Sequence, residues 1–329
     1  EEELERQKAQ ALDDLEVQLS TPGGLAGLVS PAVTFGGTAY GHPAGGTPAS
    51  LAAITPAELR AFHAAAYTPG DAVLVLAGKI TAEEGFALAQ KHFGGWKATA
   101  SAAAAAEALG KLPEPRTVVV DLPASGQASV SVLRPTLKRS DPDYIPAQVA
   151  ATVLGGGYSA RLNQEIRIKR GLSYGARAGL SARARAGVLS AVTQTKNESA
   201  VEVADLLQAE LAGIADRPAT PAELSARKST LVGEFGREIE TVDGLSGAIG
   251  ELALYRLPLT ELETYAPAVE AVTAQQVAEV AGRRISADGA SLVVVGDAKT
   301  FGAALSTKRP GTTVIPAADL DLDQPDLRK

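Results

Sequence analysis

The chain of 329 residues contains no cysteine, so disulfides and cysteine-ligated metal sites are excluded. Methionine is absent too, where a chain of this length would be expected to carry several. Only three histidines are present, His42, His63 and His92. None has a second histidine four residues away, the spacing that puts two imidazoles on one helical face. No apolar run approaches the length of a membrane span. Positive charge is in deficit. A net charge of −7 and a pI near 5.2 argue against binding to a nucleic-acid backbone as the main activity. No signal peptide is visible, because residue 1 opens directly on a charged, helix-like segment.

The remaining composition, 45% hydrophobic and 21% charged, is that of a soluble globular protein long enough for two domains. One stretch organises it. Leu154 to Gly175 reads LGGGYSARLNQEIRIKRGLSYG. Gly155, Gly156 and Gly157 make a turn open to backbone angles denied to other residues. Ser159 stands where a helix N-cap belongs, and Tyr158, Leu162 and Ile166 recur at the spacing of one helical face. Glu165 and Lys169 can pair across one turn, and Gly171 is placed to end the helix. The chain then leaves as an expected strand through Leu172, Tyr174 and Ala176. On spacing alone this is a packing element. It matches neither a dinucleotide fingerprint nor a P-loop.

A second signal is internal repetition. Thr21-Pro22-Gly23-Gly24-Leu25-Ala26-Gly27 lies over Thr241-Val242-Asp243-Gly244-Leu245-Ser246-Gly247, and Leu4 and Lys8 lie over Leu224 and Lys228 at the same offset. After a slip of two residues, Ile54-Thr55 lies over Val272-Thr273, and Ala72 to Gly78 over Ala290 to Gly296. Each copy therefore reads as a long helix (Leu4 to Leu19, Ala222 to Glu240), a second helical region, a Thr-capped helix and a buried-looking strand (Ala72 to Ala77, Ala290 to Val295). Further strands are expected at Thr117 to Leu122, Gln127 to Leu133 and Thr312 to Ile315. A hairpin is expected from Leu172 to Thr195, and helices after Asp143 and from Glu198 to Ala212. The alanine-rich segment from Lys97 reads as a linker, and the acidic end, Asp319 to Asp326, as a solvated tail. The second copy starts near Arg116, about one hundred residues before the point equivalent to residue 1. Roughly the first half of the first copy is thus expected to fall outside this sequence.

The stretch from Leu154 resembles the C-terminal half of the M16 (pitrilysin/insulinase) zinc metallopeptidases, which carry a phrase similar to LGGGxSSRLxxEIRxxRGLxYG at this point. The resemblance implies a fold of two duplicated α+β domains, each a mostly antiparallel sheet packed with helices. Residues 1–97 would be the end of the first domain, 98–116 a linker, 117–318 the second domain and 319–329 a tail. It also implies an Arg and a Tyr projecting into a peptidase chamber, here Arg167 and Tyr174, which position substrate and steady the oxyanion. Active members bind zinc with His-x-x-Glu-His and a downstream Glu, and none of the three histidines can form that motif. The downstream Glu position falls on Asp14 and its supporting Glu on Gln7, which reads as a degenerate metal site. The blander alternative makes Asp13, Asp14 and Glu16 the wet side of a helix.

The implied role is a non-catalytic subunit of a heterodimeric M16B-type zinc peptidase, lending Arg167 and Tyr174 to a partner bearing the zinc and His-x-x-Glu-His. Peptides or unfolded segments would be its substrates and the periplasm its location. Two alternatives stand beside it. One is a complete zinc endopeptidase whose motif lies in the half-domain outside this sequence. The other is a structural relative like the core subunits of respiratory complexes.

Overall fold

The computed structural model describes residues 1–97 and 109–329. The expected linker falls at 98–116; its residues 98–108 lie outside the described residues, and 109–116 carry neither helix nor strand.

Helices α1 (Glu2–Leu19) and α2 (Pro22–Phe35) meet at a sharp corner. The Thr21 hydroxyl accepts the Gly24 N–H at 3.3 Å, and Pro22 opens α2 where its missing N–H has no cost. Any Cβ on Gly24 would stand 2.5 Å from the Gln18 carbonyl oxygen, so only glycine allows the approach. Three short helices follow, α3 (Pro48–Ala53), α4 (Pro56–Ala66) and α5 (Ala82–Phe93), opened by capping boxes at Thr47, Thr55 and Thr81.

Between α4 and α5 the expected strand at Ala72 to Ala77 does not form. Val73, Leu74 and Leu76 are 67%, 52% and 46% exposed. The run has the apolar pattern of a strand, but a strand exists only against a neighbour. No other strand among the described residues pairs with this one.

The rest runs β1 (Thr117–Asp121), β2 (Ala128–Thr136), α6 (Tyr144–Gly155) and α7 (Arg161–Asn163). Then come β3 (Ala176–Ala182), β4 (Gly187–Thr195), α8 (Ala200–Asp216), α9 (Pro221–Ile239) and α10 (Val242–Leu254). Then follow α11 (Glu261–Ala271), α12 (Ala274–Val280), β5 (Ser291–Gly296), α13 (Ala298–Lys308) and β6 (Thr313–Pro316). The acidic end is not the solvated tail expected of it, because Leu322 and Leu327 are buried in the core beneath α2 and Asp323 accepts the Thr47 hydroxyl at 2.9 Å. The corner between α9 and α10 repeats the first one. Thr241 accepts the Gly244 N–H at 3.0 Å, and a Cβ on Gly244 would lie 1.8 Å from the Glu238 carbonyl oxygen.

One sheet holds the fold, in the order β3-β4-β2-β5-β1-β6. It is mixed: β3-β4, β4-β2 and β2-β5 are antiparallel, whereas β1 pairs parallel with both β5 and β6. Period-two alternation sends each strand's residues to two faces. On one face Val119, Val130, Val132, Leu189 and Val294 are covered by α6, α8 and α12, with Leu154, Leu207 and Val277 fully buried among them. On the other, Val118, Val120, Leu133, Val293 and Val295 pack under Leu25, Val29 and Val33 of α2. Each such side chain, fully buried, contributes about 1.5–3 kcal/mol from area alone. The result is a single α+β domain. Because α2 lies over β2 and β5, the β4 and β3 side of that second face is left uncovered.

Candidate functional site

The uncovered part of the sheet and the flank of α2 enclose an open cavity of about 900 Å³. Its floor is mixed, with Ser129, Ser131 and Leu133 on β2 and Val188, Ser190, Val192 and Gln194 on β4. Arg167 and Tyr174, the two residues singled out from the sequence, both line it.

Local chemistry puts them there. Leu162 and Ile166 are fully buried, which fixes the short helix after Ala160 against the main core. That helix widens into a π-turn at Gln164–Ile168, where the Lys169 N–H reaches back five residues to the Gln164 carbonyl at 3.0 Å. Glu165 pairs with Lys169 at 2.7 Å, as the spacing implied, and also with Arg170 at 2.9 Å. The Lys169 hydrogen bond, with that of Arg170, holds the Glu165 carboxyl below the usual carboxylate range. Gly171 ends the helix at φ +64°, with its N–H on the Arg167 carbonyl (2.9 Å) and the Leu172 N–H on the Ile166 carbonyl (3.0 Å). Arg167 is left half-buried, its guanidinium 4.9 Å from the centre of the Tyr158 ring. Tyr174 is 89% exposed on the loop that leads into β3.

Three details differ from the sequence reading. Ala160, not Ser159, holds the N-cap position, and the Ser159 hydroxyl instead accepts a hydrogen bond from Arg227 at 2.7 Å. Tyr158 precedes the helix and is exposed, so it does not share the buried face of Leu162 and Ile166. The strand begins at Ala176, leaving Leu172 and Tyr174 in the loop.

Two supporting residues were not legible from spacing. Arg227 of α9, almost fully buried, donates to the Gly156 carbonyl at 2.8 Å as well as to Ser159, and so pins the glycine turn. Buried Asn163 donates to the Tyr158 carbonyl at 2.6 Å and accepts the Ala176 N–H at 3.2 Å, tying the turn to the start of β3. An asparagine inside an otherwise apolar helical pattern was the one available signal for it.

A third tie is pH-sensitive. Arg161 grips Glu223 through two nitrogens, at 3.0 and 3.2 Å, and Glu223 also caps α9 by accepting the Thr220 N–H at 3.0 Å. The Arg161 hydrogen bonds lower the Glu223 carboxyl from 4.5 to about 2. A depressed carboxylate adds stability that is complete above about pH 4.5 and is lost as pH falls toward about 2. Glu223→Gln should therefore cost about 1–2 kcal/mol at pH 7, and the gap to wild type should narrow below about pH 4.5 and close as pH falls toward about 2. Thermal unfolding of both proteins across that range checks it. A gap that does not change with pH contradicts the assignment.

The described residues do not fit a zinc ion. Catalytic zinc takes three protein ligands in a tetrahedral set, and among the described residues no three His, Asp or Glu side chains converge. The exposed Asp14 carboxylate accepts from Gln10, one turn away, while Gln7 donates to Glu3. His63 stacks on Tyr67 with ring centres 5.0 Å apart, His42 lies 3.4 Å from the Pro43 carbonyl, and His92 is exposed near the end of α5.

The family model described as the peptidase M16 inactive domain matches residues 53–231. The chain belongs to the M16 peptidase family. Curated relatives described as uncharacterized zinc proteases include one from Mycobacterium leprae, 27% identical over 277 residues, and one from Mycobacterium tuberculosis, 28% identical over 290. The first match covers 84% of this chain and 62% of the relative, the second 87% and 65%. The chain thus spans a little under two thirds of their length. A crystal structure of a peptidase M16 inactive domain from Pseudomonas fluorescens superposes with a TM-score of 0.81 at 29% identity, over 90% of this M16 chain and 70% of that one. A protease from Helicobacter pylori shares the fold, with a TM-score of 0.80 at 18% identity, over 90% of this chain and 72% of that one. No helix among the described residues is long and apolar enough to cross a membrane.

Proposed function

We propose that this chain is the non-catalytic subunit of a heterodimeric M16B zinc peptidase, presenting Arg167 and Tyr174 to a peptide held against a partner that carries His-x-x-Glu-His. The observation that carries the reading is a disparity within one molecule. Both hydrogen-bond donors line a 900 Å³ cavity, while the described residues offer no metal-ligand set. Arg167 supplies a planar fork of N–H donors and Tyr174 a phenolic O–H. Neither forms an ion pair or a side-chain hydrogen bond within the described chain, so both are available to a substrate carbonyl or to the oxyanion it becomes. The metal chemistry belongs to the partner.

The repeated corner supports a duplicated architecture, with 1–97 and 117–318 as counterparts. α2 buries Leu25, Val29 and Val33 on the sheet, but its counterpart α10 buries only Leu252 fully and leaves Val242 and Leu254 56% and 72% exposed. A helix built to the same pattern but lacking a sheet beneath it fits a second M16-like unit at that face.

The test is reconstitution. The tagged chain should recover a zinc-bearing M16 homologue from its source cells, and mixing the purified proteins should restore chelator-sensitive peptide cleavage that neither shows alone. Chelator-sensitive cleavage by this chain alone would overturn the proposal. A second reading, a complete zinc endopeptidase with its motif outside this sequence, is favoured by one fact, the greater length of the relatives described as zinc proteases. Stoichiometric zinc in the homomeric full-length protein would decide for it.

A further inference from the structure

The lining of the cavity is charged with one sign only. Arg167, Arg177 and Arg183 all face it, and among the described residues no Asp or Glu does. That contrasts with a chain whose net charge is −7. None of the three guanidinium groups forms an ion pair with a carboxylate among the described residues. Arg167 lies over Tyr158, and Arg183 lies over Tyr40 at 5.1 Å, so both heads are steered by aromatic rings without being neutralised. Arg177 sits on β3 opposite Val192, on the strand face that looks into the cavity. Cations on an edge strand are often there to discourage pairing with another sheet. These three line one hollow with positive charge that no carboxylate neutralises among the described residues, which favours the entry of anionic groups.

We infer that the cavity selects an extended peptide segment carrying acidic side chains. This rests on the peptidase-subunit reading and adds to it a substrate class. Length separates a peptide from a small anion. Arg177 and Arg183 are six positions apart along the hairpin, roughly 20 Å in extended chain. One phosphate or carboxylate cannot reach both, whereas an extended segment of about six residues can. The serine-lined floor adds hydroxyls able to meet its main-chain groups.

The probe is a fluorescent peptide of about ten residues with two glutamates about six positions apart, compared with its glutamine isostere, by anisotropy on the intact chain. The acidic peptide should bind about tenfold tighter at low salt, with the advantage falling to about twofold near 0.5 M NaCl. The exposed pair Arg177→Gln/Arg183→Gln should bring the two peptides to within about twofold, and Arg177→Lys/Arg183→Lys should keep the preference. Circular dichroism confirms that each variant is folded. Equal binding of the two peptides by the wild-type chain overturns the inference. So does a preference that survives the glutamine variant, a preference matched by inorganic phosphate competing at the same site, or no binding of either peptide. The subunit reading is judged separately. A chain that restores a partner's cleavage without acidic preference sinks only this inference, and one that binds acidic peptide yet restores nothing sinks only the subunit role.

Discussion

Arg167→Ala in the reconstituted complex is expected to lower kcat/KM for peptide cleavage by about 10²–10³, the usual loss when one oxyanion donor is removed. The effect should fall mainly on kcat, because a donor that tightens on the developing oxyanion acts more in the transition state than on bound substrate. Folding should be almost untouched. Among the described residues Arg167 holds no ion pair or side-chain hydrogen bond, and its guanidinium lies 4.9 Å from the Tyr158 ring centre. Its removal should stay within about 1 kcal/mol of wild-type stability. Tyr174→Phe should behave alike, losing about tenfold or more in kcat with no change in Tm, because a side chain 89% exposed contributes little to packing. An unchanged rate in both variants would mark the chain as a structural relative whose Arg and Tyr do no chemistry.

Gly155→Val is expected to be the most damaging single substitution near the site. Gly155 ends α6 where the helix meets β3. A Cβ there would stand 1.8 Å from the Ala178 nitrogen, which is main chain and cannot turn aside. Either β3 moves away or α6 unwinds, at a cost of about 3 kcal/mol or more. The matching control is Gly171→Ala. Gly171 has φ +64° but open space around it, so alanine there meets only the left-handed backbone penalty of about 1–2 kcal/mol. Chemical denaturation should rank the two clearly. Should Gly155→Val prove as mild as Gly171→Ala, the close approach of α6 to β3 is not what fixes the hairpin.

The sequence carried the local features well because their causes are local. Threonine caps, the glycine corners, the Glu165–Lys169 pair and the helix stop at Gly171 each depend on residues within about five positions. The arginine and tyrosine were found through a motif, and both line the cavity. What was not legible depends on distant partners. Arg227 reaches the glycine turn from α9, and Arg177 counts as a cavity residue only once α2 is known to cover one half of a sheet face and not the other. The strand expected at Ala72 to Ala77 failed for the same reason in reverse. Its valines and leucines satisfy the pattern, but a ladder needs a second strand, and pattern alone does not supply one.

The most direct measurement is chelator-sensitive cleavage of a reporter peptide by this chain alone, by its zinc-bearing homologue alone, and by the two mixed, with wild-type or Arg167→Ala chain. The account predicts activity only in the mixture, and a mixture containing Arg167→Ala that still forms and still holds one zinc but works about a hundredfold more slowly. Cleavage by this chain alone, or a mixture indifferent to Arg167, would contradict it.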